Sequence, residues 1–198
     1  MVVKSLKIAQ GQATRAKLLD AARTLFGTRG YNDTSLDDIV AGAGVTKGAL
    51  YHHFGGKEDL FRAVFEQIKR EVSEQVGATF LEDDPWQALL DGCQAMVDAQ
   101  LDPAVRQIVL LDGRSVLGWD RAREIESRYT AAVLRGALRR AMHSEVIERR
   151  PLRPLALMMN GALSEACFFV VDSEDPQEAR EEVKELVAKL FEGLRPVA

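Results

Sequence analysis

Cysteine, histidine and long apolar runs are all scarce in this chain, and each scarcity removes a class of protein. Its two cysteines, Cys93 and Cys167, stand far apart and form no CxxC pair. That excludes a disulfide framework and a cysteine-based zinc site, and it suits a reducing compartment. The three histidines are His52, His53 and His143. They have no metal-ligand spacing, because neighbouring residues on a helix diverge by about 100°. No metal and no cofactor is expected. No uncharged apolar run approaches about 18 residues, so no membrane-spanning helix is expected. The N-terminus lacks the apolar stretch of a secretory signal, which gives a cytoplasmic expectation. A GxSxG elbow, a Walker loop and a dinucleotide fingerprint are all missing, so no catalytic residue is assigned and no enzyme is expected.

A strongly basic whole-chain charge, the usual footprint of nucleic-acid binding, is also absent, since the net charge is -4. That figure conceals a split. Residues 1–54 carry seven Lys/Arg against four Asp, whereas the remainder carries 19 basic and 26 acidic residues. The chain therefore reads as a small basic head on an acidic body. With 46% apolar and 28% charged residues it lies in the ordinary globular range.

The periodicity is helical nearly throughout. Leu18, Ala21, Ala22, Leu25 and Phe26 form one apolar stripe, which predicts a helix from about Thr14 to Thr28. Thr34 or Ser35 caps a short helix bearing Leu36, Ile39 and Val40, which Gly42 and Gly44 interrupt. Thr46 caps a second short helix, Lys47 to Phe54, stopped by Gly55-Gly56. A long helix from Lys57 to about Val76 follows. The acidic loop from Phe80 to Pro85 reads as a boundary or flexible connection. Further helices are expected from Trp86 to Gln100, from Pro103, from Gly118 to about Ser144, from Leu155 to Val171, and from Pro176. The fold class is all-α, with about nine helices.

Residues 35–54, SLDDIVAGAGVTKGALYHHF, are where a function becomes legible. Two short helices joined by a tight glycine turn are the geometry of a helix-turn-helix. Ile39, Val40, Val45 and Leu50 share a small core only if the helices cross steeply, which frees the outer face of the second for a major groove. Lys47, Gly48, Tyr51 and His52 are left facing outward. Thr46 and the free N–H groups beside it suit a phosphate, and Lys57 is placed for another. Ser35, at the start of the first short helix, joins this set. Gly48 costs about 1 kcal/mol relative to Ala inside a helix, and close approach to DNA is a reason for it.

The stretch from Thr14 to Ile68 closely resembles the tetracycline-repressor-like (TetR) family of bacterial transcription regulators. The residues that carry the resemblance are Leu25-Phe26, Gly30-Tyr31, Thr34-Ser35, Ile39, Ala43-Gly44-Val45, Gly48, Leu50-Tyr51, His53-Phe54, Lys57 and Leu60. It implies a three-helix DNA-binding domain, placed at residues 1–56, and a helical domain at 57–198 that binds a small effector and dimerises. It also implies that Thr46, Lys47, Tyr51, His52 and Lys57 touch double-stranded operator DNA.

The apolar stretch from Leu155 to Val171 has almost no polar face and must be covered on two sides. A homodimer through the last two helices covers it, with Ala162, Ala166, Val183, Leu186, Val187 and Leu190 at the interface. For an unidentified small-molecule effector, Met96, Trp119, Met158, Asn160 and Phe168 are the candidate walls. Asp112 and Arg114 read as a surface ion pair. The expected function is ligand-responsive operator binding, with repression, by a protein that does not engage membranes. The alternative is a helical small-molecule binder without regulatory DNA binding.

Overall fold

The computed structural model describes residues 2–196, with side chains from Ile8 onward, and every regular element described is a helix. α1 (Val2–Arg29) begins well before Thr14. Thr14 does not cap: its hydroxyl donates to the carbonyl of Gln10 one turn back, so the helix runs through it. Next come α2 (Leu36–Ala43), α3 (Lys47–His53) and α4 (Lys57–Thr79). α5 (Pro85–Asp98) is capped by Asp84, which accepts from the N–H groups of Trp86 and Gln87, and a 3₁₀ turn Ala99–Leu101 extends it.

α6 is a composite run over 103–117. Its centre, Arg106–Asp112, is wound as a π-helix, which inserts an extra residue per turn. The single long helix expected from Gly118 is instead two, α7 (Trp119–Arg128) and α8 (Thr130–His143). The reason is register. A stripe begun by buried Ala122 and Ile125 would continue at 129 and 132, yet the buried positions of α8 are Thr130, Ala131, Leu134, Ala137, Leu138, Ala141 and Met142. The break at Tyr129 absorbs the slip. α9 (Leu152–Asp172) and α10 (Pro176–Glu192) complete the chain. By length and composition α9 meets the requirement for a membrane span. It carries Glu165 on an exposed position, and Ala156, Met159, Leu163, Cys167 and Val170 are buried within the chain.

The helices form two compact units, Met1–Ile68 with Pro103–Ala122, and Lys69–Asp102 with Arg123–Ala198. The acidic loop after Phe80 is thus not a boundary. Arg140 of α8 ties it down by donating to the carbonyls of Phe80 (2.5 Å) and Glu82 (2.6 Å).

In the first unit, Leu18, Phe26, Ile39, Leu50, Leu60, Phe61, Phe65 and Ile108 are fully buried. Phe26, Tyr31 and Phe61 cluster with ring centroids 5.2–5.7 Å apart, Phe61 edge-on to the other two. α1 and α6 meet closely, because a Cβ on Gly27 would lie 2.6 Å from that of Ala104. Asp112 locks the turn after α1. Its carboxylate accepts from the Tyr31 N–H (2.8 Å) and from Gln107 Nε2 (3.1 Å), so it is not the surface ion pair expected from sequence. Arg114 lies over the Trp119 ring instead.

The second unit packs Leu89, Cys93, Ile125, Leu134, Leu138, Leu163, Val170 and Phe191 in its interior. Arg180 of α10 clasps Asp98 of α5 with two hydrogen bonds, 2.5 and 2.8 Å. Burial works against the Asp98 carboxylate, but the donors from Arg180 and Gln94 prevail and lower its pKa.

Candidate nucleic-acid interface

The interface is built from two short helices whose ends are fixed by their own side chains. Ser35 caps α2. Its hydroxyl accepts from the Asp38 N–H while the Asp38 carboxylate accepts from the Ser35 N–H and hydroxyl, a reciprocal capping box. These Ser35 donors, with Arg29 nearby, hold the Asp38 carboxyl below the usual carboxylate range. Thr34, the other capping candidate, is buried and donates to the carbonyls of Gly30 (2.8 Å) and Leu25 (3.2 Å).

Gly44 ends α2 in the left-handed region, φ 63°. The Gly44 N–H reaches Ala41 O and the Val45 N–H reaches Val40 O, the paired bonds of a Schellman turn. A side chain is strained in that conformation, so the turn depends on glycine. Two residues later Thr46 caps α3 by accepting from the Ala49 N–H at 3.2 Å.

α3 therefore has a determined orientation. Leu50 faces inward and is fully buried, Phe54 closes the helix from below, and Thr46, Lys47, Gly48, Tyr51 and His52 are exposed. Tyr51 is an aromatic with 59% of its surface in solvent. Gly48 is not required by packing: a Cβ there meets only Thr46 Oγ1, at an ordinary 3.8 Å. The chain alone would accept alanine at this position.

Two cations at this surface are held by partners that the sequence did not reveal. Lys47 Nζ lies 2.6 Å from Asp37 Oδ1 across the turn, and that hydrogen bond raises the lysine pKa. Lys57 Nζ sits 4.2 Å above the Tyr31 ring and donates to the Asn32 carbonyl at 3.4 Å. Burial and the nearby Glu58 charge raise the Tyr31 pKa. Arg15 of α1 lies over the Phe54 ring at 5.2 Å, beside the same surface. Pairings across a turn of this kind need the crossing geometry, which no spacing rule supplies.

The candidates in the second half of the chain scatter. Met96 is buried, Asn160 and Phe168 are half-buried, and Met158 is 72% and Trp119 55% exposed. Met158 and Trp119 therefore wall no interior site within this chain. Met158 lies on the open face of α9. Of the interface candidates, Ala162, Leu186 and Leu190 are exposed, Ala166 and Val187 are half-buried, and Val183 is buried within its own chain. Val183 is a core residue, because the α10 stripe divides between inward Ala179, Val183 and Phe191 and outward Leu186 and Leu190.

Two family descriptions match the chain: "Bacterial regulatory proteins, tetR family" over residues 18–64, and "Tetracyclin repressor-like, C-terminal domain" over residues 86–194. A crystal structure of a TetR-family transcriptional regulator from Pectobacterium atrosepticum is 35% identical, with a TM-score of 0.82, over 96% of this chain and 97% of that one. The transposon Tn10 TetC protein of Escherichia coli is 25% identical over 150 residues, 76% of each chain. The transcriptional regulator AcrR of Shigella flexneri is 43% identical over 65 residues, 33% of this chain and 30% of its own. The chain belongs to the TetR family and is a DNA-binding transcriptional regulator.

Proposed function

We propose that the chain acts as a homodimer in the cytoplasm, bound to a near-palindromic operator until a small-molecule effector lowers its affinity, and that it catalyses no reaction. The outward face of α3 carries this reading. Lys47 and the Thr46 end of the helix engage phosphates, Tyr51 and His52 offer donors to bases or phosphates, and Gly48 admits the DNA backbone. Ser35 and Lys57 add phosphate contacts at the two flanks. Lys57 reaches DNA by exchanging a long, weak bond to Asn32, whereas Lys47 exchanges a close carboxylate. The basic head and acidic body keep DNA on the α3 side.

One helix-turn-helix reads too few bases for a useful specificity ratio, and a twofold pair reads half-sites about 34–36 Å apart or a multiple of that. The open faces of α9 and α10 supply the pairing surface in this reading. Leu157, Met158, Phe169, Leu186 and Leu190 are each at least half exposed. A partner copy covers them, with Ala162 allowing close helix approach.

Selection of genomic fragments by the purified protein tests the proposal. A short near-palindrome shared by the enriched fragments is expected. Tyr51→Ala should lower affinity for it by about 10- to 100-fold, roughly 1–3 kcal/mol, while leaving the dimer intact. Enrichment without a common sequence, or a Tyr51→Ala protein of full affinity, would contradict it.

A further inference from the structure

The second unit buries a polar atom that the described chain leaves without a partner. Gln100 is 7% exposed, and its side-chain carbonyl, Oε1, accepts no hydrogen bond from any described residue. Its position follows from the helix before it. Leu89, Cys93 and Met96 fall on one buried face of α5, and Gln100, four residues beyond Met96, continues that face inward. The neighbouring acceptor is treated differently. The Asp98 carboxylate receives donors from Gln94 and from two nitrogens of Arg180. The chain thus crowds donors onto Asp98 and brings none to Gln100.

The 3₁₀ turn holding Gln100 packs on α9. Polar groups also lie near this helix, since the Lys69 charge acts on the Cys167 thiol and Lys69 itself pairs with Glu126 at 3.5 Å. An apolar residue would suit the α5 stripe better than an amide. A buried carbonyl with no donor is a cost to folding that a donor arriving from outside removes.

We propose that Gln100 is the polar anchor of the effector site: its carbonyl accepts a hydrogen bond from a small, mainly apolar molecule carrying an O–H or N–H donor. The molecule sits against Met96 and the inward face of α9. This inference rests on the ligand-responsive reading above and adds the class of effector. A molecule of the same shape with only acceptors is rejected, because its oxygen would face the Gln100 carbonyl with no proton between them.

The test uses the full-length protein and three matched pairs of probes: phenol and anisole, indole and N-methylindole, 1-hexanol and methyl pentyl ether. Binding is measured by calorimetry on wild type and on Gln100→Met, which conserves volume and removes the acceptor. In at least one pair the donor should bind wild type about tenfold tighter than its blocked partner, a difference of about 1.4 kcal/mol. In Gln100→Met the two should bind within about twofold of each other. Without any probe, the thermal midpoint of Gln100→Met should equal or exceed that of wild type. A fall in midpoint would reveal a partner inside the chain and overturn the proposal. So would equal binding within every pair, a donor preference that survives the substitution, or no binding of any donor at millimolar concentration. Wild-type operator binding is recorded on the same preparations. Its presence beside a failed probe series refutes the anchor alone, and its absence refutes the regulator reading itself.

Discussion

The two units of this protein treat their polar groups and apolar surfaces in opposite ways. In the first, the one buried polar side chain described, Thr34, donates to two carbonyls, and the turn after α1 is locked by Asp112. Its short helix α3 turns Thr46, Lys47, Tyr51 and His52 to solvent. In the second, Lys69, Ser73, Gln100 and Thr130 are all buried, one acceptor has no donor, and large apolar side chains stand open along α9 and α10. The first unit satisfies its one described buried polar side chain within itself. The second leaves an open apolar face and an unpaired buried acceptor, which the proposed twin subunit and ligand would satisfy. An internally satisfied unit joined to one that depends on partners is what the proposed ligand-responsive DNA binder requires.

The largest expected effect comes from charging the open face. Leu186→Asp combined with Leu190→Asp should yield a folded monomer whose operator affinity is lower by about 100-fold or more, since an unpaired charge in an apolar interface is expelled. Sedimentation and operator binding would read both changes. A dimer that survives both substitutions would place the interface elsewhere and remove one half of the contrast.

A smaller effect separates the interiors. Thr34→Val keeps the shape and deletes a donor that serves two carbonyls, so it should cost about 1–2 kcal/mol in chemical denaturation. Gln100→Met should cost nothing. Equal losses at the two positions would mean that both interiors are equally satisfied.

The smallest effect is a matter of pH. The Asp98 carboxyl is held low in the folded protein by Arg180 and Gln94, against the opposing influence of burial. A depressed carboxylate stabilises the fold above its unfolded pKa of about 3.9, and that contribution is lost as pH falls through the lower folded value. Asp98→Asn should therefore be less stable than wild type at neutral pH and should flatten the loss of stability below about pH 4. An unchanged acid limb would show that Asp98 is not held in this way.

The first unit was far more legible in the sequence than the second. Caps and glycines are local signals, so Ser35, Gly44, Thr46 and the outward set on α3 follow from a few residues each. What stayed hidden there depends on tertiary geometry. Asp37 meets Lys47 only because α2 and α3 cross, and Asp112 meets Tyr31 across 81 residues of chain. In the second unit the apolar stripes gave the helices but not their partition between core and surface. Met158 and Val183 are both apolar on helical spacing, and only the packed chain shows that one is exposed and the other buried. The break at Tyr129 has no proline or glycine to announce it. Gln100 lies just beyond the α5 stripe, where one amide at the end of a helix carries no local signal.

The salt dependence of operator binding tests the central claim most directly, for wild type, Lys47→Ala and Asp37→Asn. Lys47→Ala should reduce the slope of log affinity against log salt by about one counterion per subunit and weaken binding. Asp37→Asn, which frees Lys47 from its carboxylate, should strengthen binding a few-fold and steepen the slope. Identical slopes for all three proteins would mean that the α3 surface does not meet the phosphates, and the account would fail at its foundation.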